Sequence, residues 1–531
     1  MPPRTLRPVY LDRLSPCNHA CPAGENVQAW LDEAQAGRYR AAWELILRDN
    51  PFPAVHGRVC YHPCEDACNR GVVDGAVSIH AIERFIGDLA LEQRWSPDPP
   101  APASGKRILV VGAGPSGLSA AWQLARRGHA VSVFDAGPVA GGMMHFGIPK
   151  YRLPREVLDA EIARIAGLGV EIQLNRCVVD LEKDMADGRF DAVFLAVGAH
   201  LSRRQEIPAT DVPGIYDAIQ FLKQVETGDE PRIGRRVAIY GGGNTAIDAA
   251  RTARRLGAEP LIIYRRTRSE MPAHDFELQE ALEEGITVHW LRTIKEMNAA
   301  TIRVEIMRLD DNRRPVPTGE FETLEADSLV LAVGQETDST FLRTVAGIEF
   351  TTDGAVVVGE DMQTGHPGVF AGGDMVPHER TVTTAVGHGK VAARHIDAYL
   401  TGTGIAAVEK RELASFETLR LWFAADAGRM PQPRLPIEQR LATFGEVTGG
   451  FDARTARFEA QRCFSCGNCF ECDGCFGACP ESAIRKLGPG RRYEYDLEKC
   501  TGCAICFEQC PCGAIVMVPD TADEERQCLP T

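Results

Sequence analysis

ILVVGAGPSGLSAAWQLARRGHAVSVFDA, residues 108–136, sets the architecture of the chain. An apolar run, Ile108 to Val111, leads into Gly112, Gly114 and Gly117; an amphipathic segment follows, then a second apolar run ending at Asp135. Strand, glycine turn, helix and strand in this order form a β-α-β unit that cradles a dinucleotide. Gly112 permits the tight turn, Gly114 lets a pyrophosphate approach the backbone, and Gly117 lets helix pack on strand. The helix, opened by Pro115, turns its positive N-terminus toward the phosphates. Asp135 stands where a carboxylate binds ribose hydroxyls.

The pattern returns further along. RILVVGAGPSGLSAA (107–121) resembles RVAIYGGGNTAIDAA (236–250), and FDAVFLAVGA (190–199) resembles ADSLVLAVGQ (326–335). Two nucleotide-binding units therefore lie in series. The second has Gly241, Gly242 and Gly243, then Asn244 and Thr245 opening its helix, and Ala246 at the packing position. Aligning AVSVFDA with PLIIYRR puts Arg265 where Asp135 sits. An acid there favours NAD; Arg265 and Arg266, with Arg268 close by, suit a 2′-phosphate and hence NADP(H).

Two further stretches imply a flavin. AGGMMHFGIPKYRLP (140–154), containing Gly142, follows the first unit. VFAGGDMVPHERTVTTAVGHGKVAA (369–393) reads as strand, then Gly372, Gly373 and Asp374, then a helix beginning near Thr383 and Thr384. It resembles the second FAD fingerprint of two-dinucleotide flavoproteins, in which the Asp holds the ribityl chain and the helix N-terminus faces the pyrimidine edge of the flavin.

With GRVCYHPCEDACNRG, GAGPSGLSAA, GGMMHFGIPKYRLP, GGGNTAIDAARTARRLGA, YRRTRSEMPA and AGGD together, residues 10 to 400 resemble the glutamate synthase small subunit and the N-terminal half of dihydropyrimidine dehydrogenase. The resemblance implies FAD in the outer domain, NADPH in the inserted one, and electron transfer through iron–sulfur clusters to a partner. Thioredoxin-reductase-like flavoproteins carry a redox CxxC in the pyridine-nucleotide domain. This chain has no cysteine from 178 to 461, which argues against dithiol reduction.

The cysteines crowd at the two ends. RCFSCGNCFECDGCFGACP (462–480) holds six of them. Read back from the proline, Cys469, Cys472, Cys475 and Cys479 form a bacterial ferredoxin run, repeated as Cys500, Cys503, Cys506 and Cys510. In two-cluster ferredoxins the fourth cysteine of each run ligates the other cluster. One [4Fe–4S] set is therefore Cys469, Cys472, Cys475 and Cys510; the other is Cys500, Cys503, Cys506 and Cys479. Cys463, Cys466, Cys512 and Cys528 are left over. A zinc or an additional cluster at Cys463 and Cys466 stays open, with spare buried thiols as the expectation.

At the N-terminus the chain departs from the resemblance. Related chains carry a CxxC where this one has Val9 and Asp12. By the family pattern, Cys21, Cys60, Cys64 and Glu83 hold one surviving cluster, with Cys68 or Cys17 as the alternative to Glu83 because thiolate is the commoner ligand; Cys17 and Cys68 otherwise belong to the depleted set. The expectation is three clusters and one FAD per chain. Cys177 reads as core, and His145, His274 and His388 as structural. No catalytic acid or base is named.

Composition bounds the rest. The chain has 531 residues, 44% hydrophobic and 25% charged, with a net charge of −15. An acidic chain is a poor binder of nucleic acid. No apolar stretch is of membrane-spanning length and the N-terminus has no signal-peptide core, so a reducing cytoplasm is expected, where clustered cysteines bind metal. The expected fold is an α/β two-dinucleotide-binding flavoprotein with two Rossmann-like domains, flanked by a helical iron–sulfur domain and a C-terminal ferredoxin-like domain. The boundaries read 1–100 (helical), 105–230 and 339–402 (FAD), 231–338 (NADP(H)), 403–455 (linker) and 456–531 (ferredoxin-like, with tail). The expected role is an electron-transfer subunit joining NADP(H) to a partner oxidoreductase in a hetero-oligomer, such as a 2-oxoacid:ferredoxin-type enzyme, with ferredoxin itself as a further candidate. A glutamate synthase-like small subunit ranks second, and a redox sensor or assembly scaffold third. The terminal module is expected to dock on the partner.

Overall fold

A computed structural model describes residues 4–203, 207–209, 214–229, 231–405 and 410–520; Cys528 lies outside them. Two five-stranded sheets form its centre, each parallel throughout. The first runs Val369–Ala371, Ala192–Leu195, Arg107–Val111, Ala130–Phe134, Glu171–Gln173. The second runs Ile215–Asp217, Ser328–Leu331, Arg236–Tyr240, Glu259–Tyr264, Thr287–Trp290. The repeated segments occupy matching places: 107–111 and 236–240 are both central strands, and 192–195 and 328–331 both lie beside them. These strands are nearly continuous Val, Ile, Leu and Ala because both faces are covered. An antiparallel sheet, Arg292–Met297, Thr301–Leu309 and Pro315–Glu325, flanks the second unit.

The N-terminal helices Val27–Gln35, Tyr39–Asp49, Pro53–Val59 and Ile79–Glu92 bury Trp30, Trp43 and Phe52. Two of them cross closely: a Cβ on Gly57 would lie 2.4 Å from the Arg84 backbone, and one on Gly87 2.4 Å from Ala54 N. Fully buried Glu161 accepts from the amides of Ala54 (3.2 Å) and Val55 (3.1 Å), anchoring the helix Pro53–Val59 to the first nucleotide unit.

Residues 410–452, read from the sequence as part of a linker, form an ordered strap. Ala414 N–H donates to Leu14 O (2.9 Å), Ala427 N–H to Asp74 (2.7 Å), and Val447 N–H to Tyr151 O (3.0 Å). Glu446 pairs with Arg58 (2.7 Å) and Arg84 (2.9 Å). The segment has neither strand nor helix periodicity because backbone contacts and ion pairs, rather than an apolar face, hold it.

The terminal module is docked within the chain. Strand Leu6–Tyr10 pairs antiparallel with Ile515–Pro519, so the first strand completes the last domain. Tyr10 lies 5.3 Å from Tyr495, ring to ring. Among the described residues, no helix is long and apolar enough to cross a membrane.

Candidate redox-cofactor sites

The first glycine turn has the shape of a phosphate cradle. Gly112 has φ +108°, and a Cβ there would lie 2.3 Å from Ala196 O; one on Gly117 would lie 1.9 Å from Gly112 O. A Cβ on Gly114 would meet nothing within 4 Å. Two glycines thus serve the protein's own packing, and Gly114 faces open space at the start of helix Pro115–Arg126. Asp135 lies one residue past its strand; its carboxylate accepts from Ala113 N–H (2.6 Å) and Gly137 N–H (2.7 Å), bracing the turn. Gly142 packs a backbone without Cβ against Gly114.

The second fingerprint closes on this cradle. Gly373, at φ +72°, brings its backbone against Ser116 and donates from N–H to His388 Nδ1 (3.1 Å). Helix Val382–Thr401 is capped by Thr381, whose hydroxyl accepts from Thr384 N–H (3.1 Å). Burial pushes the Asp374 carboxyl up to about 6, with Arg380 acting the other way. Buried Ser116 Oγ and His145 Nδ1 have no hydrogen-bond partner among the described residues. A bare glycine backbone, a helix N-terminus, an unpaired hydroxyl and a desolvated carboxylate fit a flavin dinucleotide, with Asp374 as acceptor for its ribityl hydroxyls. The unpaired Ser116 hydroxyl was missed from the sequence, where nothing separates it from an ordinary helix serine.

In the second unit a cavity of 520 Å³ opens at the glycine turn, lined among others by Arg203, Tyr240, Gly243, Tyr264, Arg265 and Arg266. A Cβ on Gly243 would meet nothing within 4 Å, as at Gly114. Helix Asn244–Arg255 starts there, and Asn244 Oδ1 accepts from His274 N–H (3.1 Å). Thr245 lies in its first turn. Arg265 is exposed, and buried Arg266 Nε has no partner among the described residues. Arg268 is engaged with Asp275 (2.6 Å). Cavity size, free phosphate approach and arginines at its wall fit a phosphorylated dinucleotide.

No disulfide joins the cysteines among the described residues. Cys469, Cys472, Cys475 and Cys510 form one group; burial first, then Cys469, Cys510 and Cys472, push Cys475 up to about 12. Cys506 is pushed up to about 11 by burial, with Cys500, Cys503 and Cys479 adding to it. In both groups, cysteines of one run meet the fourth cysteine of the other. Cys512 lies 3.8 Å from Cys510, sulfur to sulfur.

Cys21, Cys60 and Cys64 gather at the N-terminal domain beside two buried carboxylates. Cys60 is pushed up to about 12 by burial, with the Thr383 hydroxyl opposing and Glu83 and Glu25 adding. Glu83 is held well above the usual carboxylate range by burial and by Glu25. Asn50 Nδ2 donates to both (2.9 Å each). Glu83 thus lies beside Cys60, and Glu25, which the sequence reading did not name, stands next to it. Thr383 puts Cys60 at the N-terminus of the flavin-facing helix.

Two expectations are corrected. Cys463 and Cys466 are not isolated spare thiols; they lie with Cys17 and Cys68. Burial, then Cys463, Cys68 and Cys466, raise the Cys17 thiol. Sequence spacing gives no signal for this meeting, because the two pairs come from opposite ends of the chain. Cys177, expected in the core, is exposed.

Comparison with known proteins gives the family of each part of the chain. Residues 106–389 match the pyridine nucleotide-disulphide oxidoreductase family. Residues 13–95 match dihydropyrimidine dehydrogenase domain II, with its 4Fe-4S cluster, and 468–514 the 4Fe-4S dicluster domain. The chain is 39% identical to the NADP(+)-dependent formate dehydrogenase subunit beta of Moorella thermoacetica, over 85% of this chain and 70% of that one. It is 33% identical to the NADPH-Fe(3+) oxidoreductase subunit beta of Geobacter sulfurreducens, over 86% and 76%. It is 35% identical to the glutamate synthase [NADPH] small chain of Escherichia coli, over 71% and 87%. The chain belongs to the pyridine nucleotide-disulphide oxidoreductase family and is an oxidoreductase with 4Fe-4S domains at both ends.

Proposed function

We propose that the chain is the NADP(H)-facing electron-transfer subunit of a cytoplasmic hetero-oligomeric oxidoreductase. It exchanges hydride with NADP(H) at FAD and passes single electrons through [4Fe–4S] clusters to or from a partner. Flavin, when bound, supplies the exchange between a two-electron hydride and single electrons. Arg265 and Arg266 hold the nucleotide phosphate; Gly114 and Gly243 admit the pyrophosphates; Asp374 orients the ribityl chain. Cys21, Cys60, Cys64 and Glu83 hold the N-terminal cluster, and the two ferredoxin groups hold one each.

The carrying observation is continuity: the Cys60 group abuts Thr383 on the flavin-facing helix, and Cys472 and Cys503 are exposed at the far end. Exposed Phe476 and Ile505 beside those cysteines offer the partner an apolar contact. The relatives named as beta subunits favour a low-potential partner enzyme, of formate dehydrogenase or 2-oxoacid:ferredoxin type. A glutamate synthase large subunit ranks second, because the small chain is matched over 71% of this chain and the two beta subunits over 85% and 86%.

The test is anaerobic reconstitution. NADPH bleaches the flavin and reduces artificial dyes, while formate, 2-oxoacids, glutamate and pyrimidines are not converted by the chain alone. Conversion of any of these without a partner defeats the subunit reading; failure of NADPH to bleach the flavin defeats the reading as a whole.

A further inference from the structure

Cys17 follows the first strand, Cys68 ends the PCEDAC turn, and Cys463 and Cys466 follow helix Ala453–Gln461. Contacts between their immediate neighbours pin these three segments together. Ser15 Oγ donates to Cys466 O (2.8 Å) across 451 positions of sequence. Arg13 N–H donates to Gly467 O (3.1 Å), and Asn468 Nδ2 to Arg13 O (3.2 Å). From the other side, Asn69 Nδ2 lies 3.4 Å from Cys466 Sγ, Arg70 Nη1 donates to Arg462 O (2.6 Å), and the Arg70 guanidinium lies 4.8 Å over the Phe464 ring. Arg462 and Glu459 are buried; Glu459 accepts from Ser78 N–H (2.9 Å), and Arg462 pairs with Asp74 (3.0 Å). Buried, satisfied charges of this kind hold the CxxC against the N-terminal domain, since removing either partner would strand the other.

We propose that Cys17, Cys68, Cys463 and Cys466 hold a fourth [4Fe–4S] cluster, in which a CxxC from the C-terminal segment fills the place left by Val9 and Asp12. The inference rests on the proposed electron-transfer function. Four cysteine sulfurs from three segments are a complete cluster ligand set. The alternative for four thiolates is a tetrahedral zinc, which draws sulfurs to about 3.8 Å of one another. Among the described residues, no three cysteine sulfurs lie within 4.8 Å of one another, so the set is spread wider than zinc requires. Two donors already face its sulfurs, Ser465 N–H to Cys463 (3.4 Å) and Asn69 Nδ2 to Cys466 (3.4 Å). The Cys60 and Cys479 sulfurs receive the same type of contact, from His62 N–H and Ala483 N–H (3.3 Å each). Such contacts stabilise sulfur carrying negative charge. Position agrees as well: helix Pro16–Ala20, which carries Cys17, packs on helix Pro63–Asp66, which carries Cys64, and Cys466 is three residues from Cys469, so the site lies between the flavin-side group and the ferredoxin module.

The experiment compares wild-type full chain with Cys463→Ser/Cys466→Ser, both purified anaerobically. Iron, acid-labile sulfide and zinc are measured against FAD, which reports folding. The expectation is about sixteen irons in the wild type and about four irons and four sulfides fewer in the variant, with no zinc in either. Loss of one zinc, or equal metal in both proteins, overturns the proposal. If the variant does not fold, spin counting of the dithionite-reduced wild type decides: four reduced clusters support the site, three overturn it. Bleaching of the wild-type flavin by NADPH, read in the same sample, bears on the proposed function alone.

Discussion

Replacing Arg265 by Ala separates NADPH from NADH. Arg265 is exposed at the wall of a 520 Å³ cavity, at the end of strand Glu259–Tyr264. A charge-assisted contact to a 2′-phosphate is worth about 1.5–3 kcal/mol. Exposure and solvent screening place Arg265 at the lower end, which corresponds to about tenfold in affinity. NADH carries no 2′-phosphate, so its affinity should stay within about twofold. Stopped-flow measurement of flavin bleaching against nucleotide concentration reads both. The NADPH effect should shrink as salt is raised from low to about 0.5 M, because the Debye length falls to a few ångströms. Equal weakening of both nucleotides would show that Arg265 shapes the loop instead of reading the phosphate, and no weakening of NADPH would place the phosphate elsewhere.

Gly114→Ala should leave the melting temperature of the apoprotein within a few degrees and abolish FAD retention, whereas Gly117→Ala, whose Cβ would lie 1.9 Å from Gly112 O, should cost about 3 kcal/mol of stability as well; loss of fold in both would refute the division of labour. Glu83→Ala should alter the EPR signal of one reduced cluster and Glu25→Gln should not; the reverse result assigns Glu25 as ligand. Tyr10→Ala, removing the ring against Tyr495, should weaken the terminal module by about 2 kcal/mol and speed iron release to a chelator; unchanged release would mean that the strand pairing contributes nothing to that module. Truncation at residue 456 would remove the strand paired with Leu6–Tyr10 and the buried Arg462, so coupling to the partner is better tested with Cys503→Ser, which should spare flavin bleaching by NADPH and lower partner reduction; unchanged coupling would place the electron exit elsewhere.

The two nucleotide units were legible because their information is local. A glycine turn, an apolar strand and a helix lie within thirty residues; Gly112 and Gly117 are demanded by backbone approaches that no side chain tolerates, and Gly114 leaves open space for a phosphate. The same holds for the two ferredoxin runs, where spacing and proline place the sulfurs. Where the sequence is locally irregular, it is read as linker, as at 410–452, although ion pairs from Glu446 to Arg58 and Arg84 give that segment one position.

By itself the sequence determined the two Rossmann-like units, their glycine turns, the arginines beside the second turn and the 4Fe-4S domains at both ends. Only the tertiary structure decided that the terminal strand pairs with the first, that Glu25 stands beside Glu83, and that Cys463 and Cys466 meet Cys17 and Cys68. The physical reason is range. Backbone geometry and local periodicity couple residues a few positions apart, whereas the meeting of the chain ends depends on buried charges and hydrogen bonds between segments 392 and 451 residues apart, which leave no periodic trace in the sequence.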